Sequence, residues 1–134
     1  MENNKKSILL VDDDAEFCEE LKDLLEEEGY EIDTASDGRE GLKTALTKSY
    51  DLIFLDIKLP GMNGLDILEK LKSESVESPV IIISASPSVA KYTSSEVKND
   101  NFGEDAALKL ADGAMGKPFD IEKTLKTVEE LTGR

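Results

Sequence analysis

The acids of this chain cluster where apolar runs stop. Asp12, Asp13 and Asp14 follow the apolar run 8–11, and Asp56 follows the run 52–55. Two unit charges about 4 Å apart at an effective dielectric near 20 repel by roughly 4 kcal/mol. Three carboxylates brought together would therefore carry about 12 kcal/mol of mutual repulsion. A small divalent cation removes that cost. Mg²⁺ suits such a set because it takes one or two carboxylates with a backbone carbonyl and keeps its remaining positions for water and phosphate oxygens, whereas Ca²⁺ wants more protein oxygens. Ser84 ends a further apolar run, 79–83, and Lys117 stands in GKPF. A metal-bound carboxylate beside a hydroxyl and an ammonium makes a phosphoryl site. The carboxylate attacks phosphorus, the metal and lysine balance oxygen charge, and the hydroxyl donates a hydrogen bond.

These residues meet only if the elements between them bring strand ends together. Residues 7–11 read as a buried strand, and Phe17, Leu21, Leu24 and Leu25 give 15–28 the spacing of a helix, with Asp14 as its N-cap and Gly29 as its terminator. A short strand follows at 31–35. The segment 39–48 reads as a helix behind Asp37 and Gly38, with Leu42, Ala45 and Leu46 on one face. The run 52–55 is a third strand ending at Asp56. It is followed by the Pro-Gly turn of KLPGMNG and a helix carrying Leu65, Leu68 and Leu71. A fourth buried strand spans 79–83, a polar, broken stretch follows Ala85 with a helix at about 104–110, and 113–116 makes a short fifth strand. Asp120 caps a final helix with Ile121, Leu125 and Val128 at helical spacing.

Strands alternating with helices require right-handed crossovers, and so an α/β fold with three layers: a doubly wound, five-stranded parallel sheet covered on both faces. Ligands bind such sheets beyond the carboxyl ends of the strands, where strand order reverses. In the order 2-1-3-4-5 the first and third strands are neighbours at that point, which would gather Asp12, Asp13 and Asp56 in one shallow pocket. At 134 residues the chain holds one domain. Its net charge of −14 opposes direct contact with nucleic acid or an anionic membrane surface. It has no apolar stretch long enough to span a bilayer and no apolar segment before the first strand, so a cytoplasmic location is expected. Cys18 is the single cysteine and there is no histidine, which excludes a disulfide within the chain, a zinc site and a phosphohistidine carrier. The chain could still receive a phosphoryl group from one. Cys18 reads as a half-buried helix residue, and the acidic run 26–28 as a solvated helix end.

In LLVDDD, LIFLDIKLPGMNG, VIIISAS and GKPF, occurring in that order across about residues 7–131, the chain resembles the CheY-like receiver domain of response regulators in two-component systems. The resemblance implies a flavodoxin/CheY-like fold with Asp56 as phosphoacceptor. Asp12 and Asp13 would be the acidic pair for Mg²⁺, with Asp13 the direct ligand and Asp12 acting partly through water, and the Lys58 carbonyl would complete the site. Ser84 would be the switch hydroxyl, the Ala85 amide would contact the phosphoryl group, and Lys117 would be the phosphate-contacting lysine. It further implies a phosphorelay in which a sensor histidine kinase, a phosphotransfer protein or a small acyl phosphate is the donor. The domain would catalyse only its own phosphorylation and autodephosphorylation, and a face of the fourth helix, fifth strand and fifth helix would meet a downstream protein partner.

Two departures stand out. Ala114 occupies the place of the usual switch aromatic, and the stretch from Ser84 to Lys117 looks about ten residues longer than usual, the surplus falling in a long loop at 87–103 that could replace the missing aromatic through Tyr92 or Phe102. Residues 1–6 read as a disordered N-terminus, and the chain as either a stand-alone receiver or part of a longer regulator. Competing readings are a receiver-like scaffold that binds without phosphorylation, and an aspartyl-phosphate phosphatase of the haloacid dehalogenase type. Lys58 stands where the latter needs a second aspartate.

Overall fold

The computed structural model describes residues 5–84, 110–117 and 119–133, with Ser84 described by its backbone alone. The described elements are β1 (Ser7–Val11), α1 (Ala15–Glu27), β2 (Glu31–Ala35), α2 (Gly38–Thr47), β3 (Leu52–Asp56), α3 (Gly64–Ser73), β4 (Val80–Ser84), β5 (Gly113–Gly116) and α4 (Ile121–Thr132). All strand pairs are parallel and the order is β2-β1-β3-β4-β5, as expected.

The sheet is apolar on both faces because strand residues alternate between two cores. Leu9, Val11, Ile53, Leu55, Val80 and Ile82 pack with Ala45 of α2 and with Leu65, Leu68 and Leu71 of α3. Ile8, Leu10, Leu52, Phe54, Ile81 and Ile83 pack with Phe17, Leu21 and Leu25 of α1 and with Val128 of α4. This parity decides where the acids fall. In the β1–β3 ladder Leu10 lies opposite Phe54 and Val11 opposite Leu55, so one step further Asp12 meets Asp56, each continuing the row that faces α1 and α4.

Helix ends follow local capping chemistry. Asp14, Asp37, Asn63 and Asp120 cap α1, α2, α3 and α4, each side chain accepting from a backbone N–H of the first turn. Gly29, at φ +96°, adopts the left-handed conformation that lets the chain turn out of α1 into β2. The Lys6 carbonyl accepts from Glu31 N at 2.9 Å, one residue before β1.

Two expected apolar faces differ from those observed. Leu46 is 42% exposed, whereas Ala45 is buried and Leu42 half-buried as expected, and α2 also buries Gly38 and Gly41. The helix lies so close to the sheet that a Cβ on Gly41 would stand 2.6 Å from Val11 Cγ1, and only small residues fit that stripe. Ile121 is 54% exposed. The last helix docks through Thr124, Val128 and Thr132 with Leu125 half-buried, and its first turn stands over an open groove with Phe17, Leu24 and Phe119. The segment 87–103 and the expected helix at 104–110, apart from exposed Leu110 in a turn, lie outside the described residues.

The start of α3 abuts the end of β3: Gly64 N donates to Ile57 O at 2.8 Å, and a Cβ on Gly64 would collide with the Asp56 carbonyl. Gly64→Ala is expected to destabilise the protein by about 2 kcal/mol. Gly113→Ala, whose Cβ would meet only Ile81 Cγ1 at 3.8 Å, should change stability by about 0.5 kcal/mol or less. Urea unfolding of the two variants checks the contrast.

Candidate functional site

The three consecutive aspartates separate in space because each has a different backbone role. Asp12 leaves β1 with its N–H donating to Ala35 O at 3.0 Å, and its carbonyl accepts from the Cys18 thiol at 3.3 Å. Asp14 turns outward to cap α1, accepting from Phe17 N at 3.2 Å, as its sequence position suggested. Asp13 is exposed between them. Asp12 and Asp56 are only 1% and 6% exposed. Asp12, Asp13 and Asp56 each offer an oxygen, all within 4.8 Å of one another, so the repulsion expected from the sequence is present.

Lys117 offsets it. Its Nζ lies 2.9 Å from Asp12 Oδ2, 3.6 Å from Asp56 Oδ2 and 3.7 Å from Asp14 Oδ2, and it donates to Asp12 Oδ1 at 3.1 Å. Burial works against the Lys117 ammonium, but its hydrogen bond to Asp12 and the charges of Asp12, Asp56 and Asp14 outweigh that and hold its pKa above the ordinary value. One lysine does not neutralise the buried pair. Burial first, then the charge and hydrogen bonding of Asp12, push Asp56 up to about 7, against the opposing pull of Lys117 and of the Lys58 backbone N–H.

The donor set fits a small hard cation. Asp12 Oδ1 accepts from Asp14 N at 3.0 Å as well as from Lys117. Oδ2, though buried and in ionic contact with Lys117, has no hydrogen bond of good geometry among the described residues. A buried carboxylate oxygen left in that state costs free energy that a metal ion would recover. The exposed Asp13 leaves one side of the cluster open to water.

The structure thus brings together Asp12, Asp13, Asp56 and Lys117. Lys58 follows Asp56 closely, its side chain exposed and its N–H bonded to the Asp56 carboxylate. The Ser84 backbone pairs with Gly116, immediately before Lys117, which sets the end of β4 beside that of β5. The Ser84 hydroxyl and the Ala85 amide lie outside what is described. Sequence reasoning missed two neighbours of the lysine. The Phe17 ring lies beneath its Nζ, 4.7 Å from the centroid, and Asp14 adds its charge while capping. The helical spacing that marks Phe17 as core gives no sign of the first. The position of Asp14 in DDD could have suggested the second.

Comparison with known proteins agrees with this geometry. The model of the response regulator receiver domain family matches residues 8–129. Response regulator ArlR of Staphylococcus aureus is 38% identical over 128 residues, covering 95% of this chain and 52% of that protein. The chain spans about half the length of the curated relatives it matches. The receiver domain of Francisella response regulator 1452 has a TM-score of 0.81 at 30% identity, covering 97% of this chain and 98% of that one. Response regulator protein TrrA of Thermotoga maritima, whose structure is a complex with Mg(2+)-BeF, has a TM-score of 0.77 at 33% identity, covering 94% and 98%.

Two outcomes follow from the buried charges. A carboxyl raised on folding binds its proton more tightly in the folded than in the unfolded chain, so metal-free protein loses stability as pH rises from about 4 towards 7. In EDTA near pH 8, Asp56→Asn should raise unfolding free energy by about 2 kcal/mol, a gain that disappears near pH 4. Urea titrations at both pH values read it. Burial and the Asp12 charge push the Cys18 thiol up from 9.0 to about 11. Iodoacetamide at pH 8 should therefore alkylate the folded protein about a hundredfold more slowly than the urea-unfolded chain.

Proposed function

The chain belongs to the response regulator receiver domain family of two-component systems, and from that premise we propose that it is a phosphoacceptor whose Mg²⁺-dependent phosphorylation on Asp56 switches a protein–protein interaction. The observation that carries this reading is the convergence of Asp12, Asp13 and Asp56 around Lys117 at the carboxyl ends of β1, β3 and β5. The donor is a sensor histidine kinase, a phosphotransfer protein or a small acyl phosphate. The receiving partner is a downstream protein.

An Asp56 carboxylate oxygen attacks phosphorus, the bond from phosphorus to the donor nitrogen or oxygen breaks, and the donor leaves with that electron pair. An aspartyl phosphate remains, which water later hydrolyses. The end of β3 fixes the attacking oxygen, and Gly64 and the α3 N-terminus hold the strand end behind it. Lys117 supplies a cation within reach of the incoming phosphoryl oxygens. The Lys58 N–H steadies the Asp56 carboxylate in its ionised form. Asp12, Asp13, Asp56 and the Lys58 carbonyl would hold Mg²⁺, which when bound supplies charge neutralisation for the carboxylates and the phosphoryl group. The domain acts on no other substrate: it catalyses only its own phosphorylation and dephosphorylation, and the added charge on Asp56 biases the segment after β4.

A phosphorylation-independent scaffold is the second reading, favoured by Ala114, a small side chain paired with Ile82 on β5 where the resemblance implies an aromatic. One experiment separates the two. Incubated with acetyl phosphate and Mg²⁺, the protein should gain a single labile phosphoryl group by intact mass. Asp56→Asn should abolish the adduct, EDTA should weaken it, and Lys117→Met should slow its formation about a hundredfold. A protein that takes up no phosphoryl group from acetyl phosphate or a histidine kinase is the scaffold.

A further inference from the structure

Lys117 is held on two chemically different sides. One side is three carboxylates, Asp12, Asp56 and Asp14. The other is the face of Phe17, whose centroid lies 4.7 Å from Nζ, a separation at which the quadrupole of the ring attracts an ammonium. Phe17 is buried, and Phe119 stands perpendicular to it with centroids 5.6 Å apart and planes at 89°, an edge-to-face pair that fixes ring orientation. Asp14 anchors the Phe17 main chain beside the site, since the N–H it accepts to cap α1 is that of Phe17.

The two kinds of contact respond differently to the chemistry at Asp56. On the reading proposed above, on which this inference rests, Asp12 and Asp56 commit their charge to a metal ion and a phosphoryl group, and their hold on the lysine weakens. What remains is the half-exposed Asp14, 3.7 Å away, and the ring, which has nothing to give up. The α1 stripe with Leu21 and Leu25 asks only for an apolar side chain at this position, and the edge of Phe119 and the Lys117 ammonium are the two contacts that use an aromatic one. We infer that Phe17 is a positioning residue, whose ring, braced by Phe119, keeps the Lys117 ammonium beside Asp56 once Asp12 has turned its charge to a cation.

The test is to replace Phe17 with 4-fluoro-, 3,5-difluoro- and 3,4,5-trifluorophenylalanine, which keep its shape while draining electron density from the face, and to compare Phe17→Leu. At saturating Mg²⁺ the rate of phosphorylation by acetyl phosphate should fall stepwise along the fluorinated series, by about fivefold at its end, with the urea midpoint unchanged. In NMR spectra of the unphosphorylated protein, the Lys117 Cε protons should show an upfield ring-current shift that persists on saturation with Mg²⁺ and vanishes in Phe17→Leu. A flat rate across the fluorinated series, or a ring-current shift lost on adding Mg²⁺, overturns the inference. Wild-type phosphorylation of Lys117→Met would instead overturn the role given to the lysine itself, and persistence of the ring-current shift would still decide whether the ring holds it.

Discussion

The register of β1 against β3 sets two carboxylates at the same level on adjacent strands, and much of the local structure is a response to that charge. Asp12 follows the pair Val11–Leu55 by one residue, and so does Asp56. Neither has room to swing away, since both are buried against the row that packs on α1 and α4. The ammonium of Lys117 answers this pairing, and burial together with the charge of Asp12 raises the pKa of Asp56. A group strained in this manner is reactive towards whatever brings positive charge or removes negative charge.

Close backbone approach holds the surrounding loops. Gly38 N donates to Pro60 O at 2.8 Å, and a Cβ on Gly38 would collide with the Met62 carbonyl. The start of α2 is therefore seated on the loop that follows Asp56. Gly64 brings the start of α3 equally close to the end of β3. The site is thus framed by main chain on the α2 and α3 side, and by the side chains of Lys117, Phe17 and Phe119 on the α1 and α4 side.

Much of this was legible in the sequence because the signals are local. Unbroken apolar runs marked β1, β3 and β4, and Asp14, Asp37 and Asp120 marked helix starts, whereas the strand order came from the general rule for doubly wound sheets and the family resemblance, since no residue pattern fixes it. Legibility failed where tertiary distance decides. Nothing in 39–48 reveals that Gly41 rests on Val11, so Leu46 looked like core. Ile121 kept helical phase with Leu125 and Val128 although α4 begins before it reaches the sheet. The partnership of Phe17 with Lys117 joins residues a hundred positions apart, and no spacing rule connects an apolar periodicity to a distant cation.

The alternation of the two cores also constrains how such a chain can change over evolutionary time. A residue inserted before β1 or β3, at the amino ends of the strands, shifts only loop length. A single residue inserted within either strand exchanges its two faces and carries its aspartate to the opposite side of the sheet, away from Lys117. Variation in length is therefore tolerated between the elements and excluded within β1 and β3. The distance along the chain from Asp12 to Asp56 is free to drift, while the parity of each strand leading to its aspartate is not.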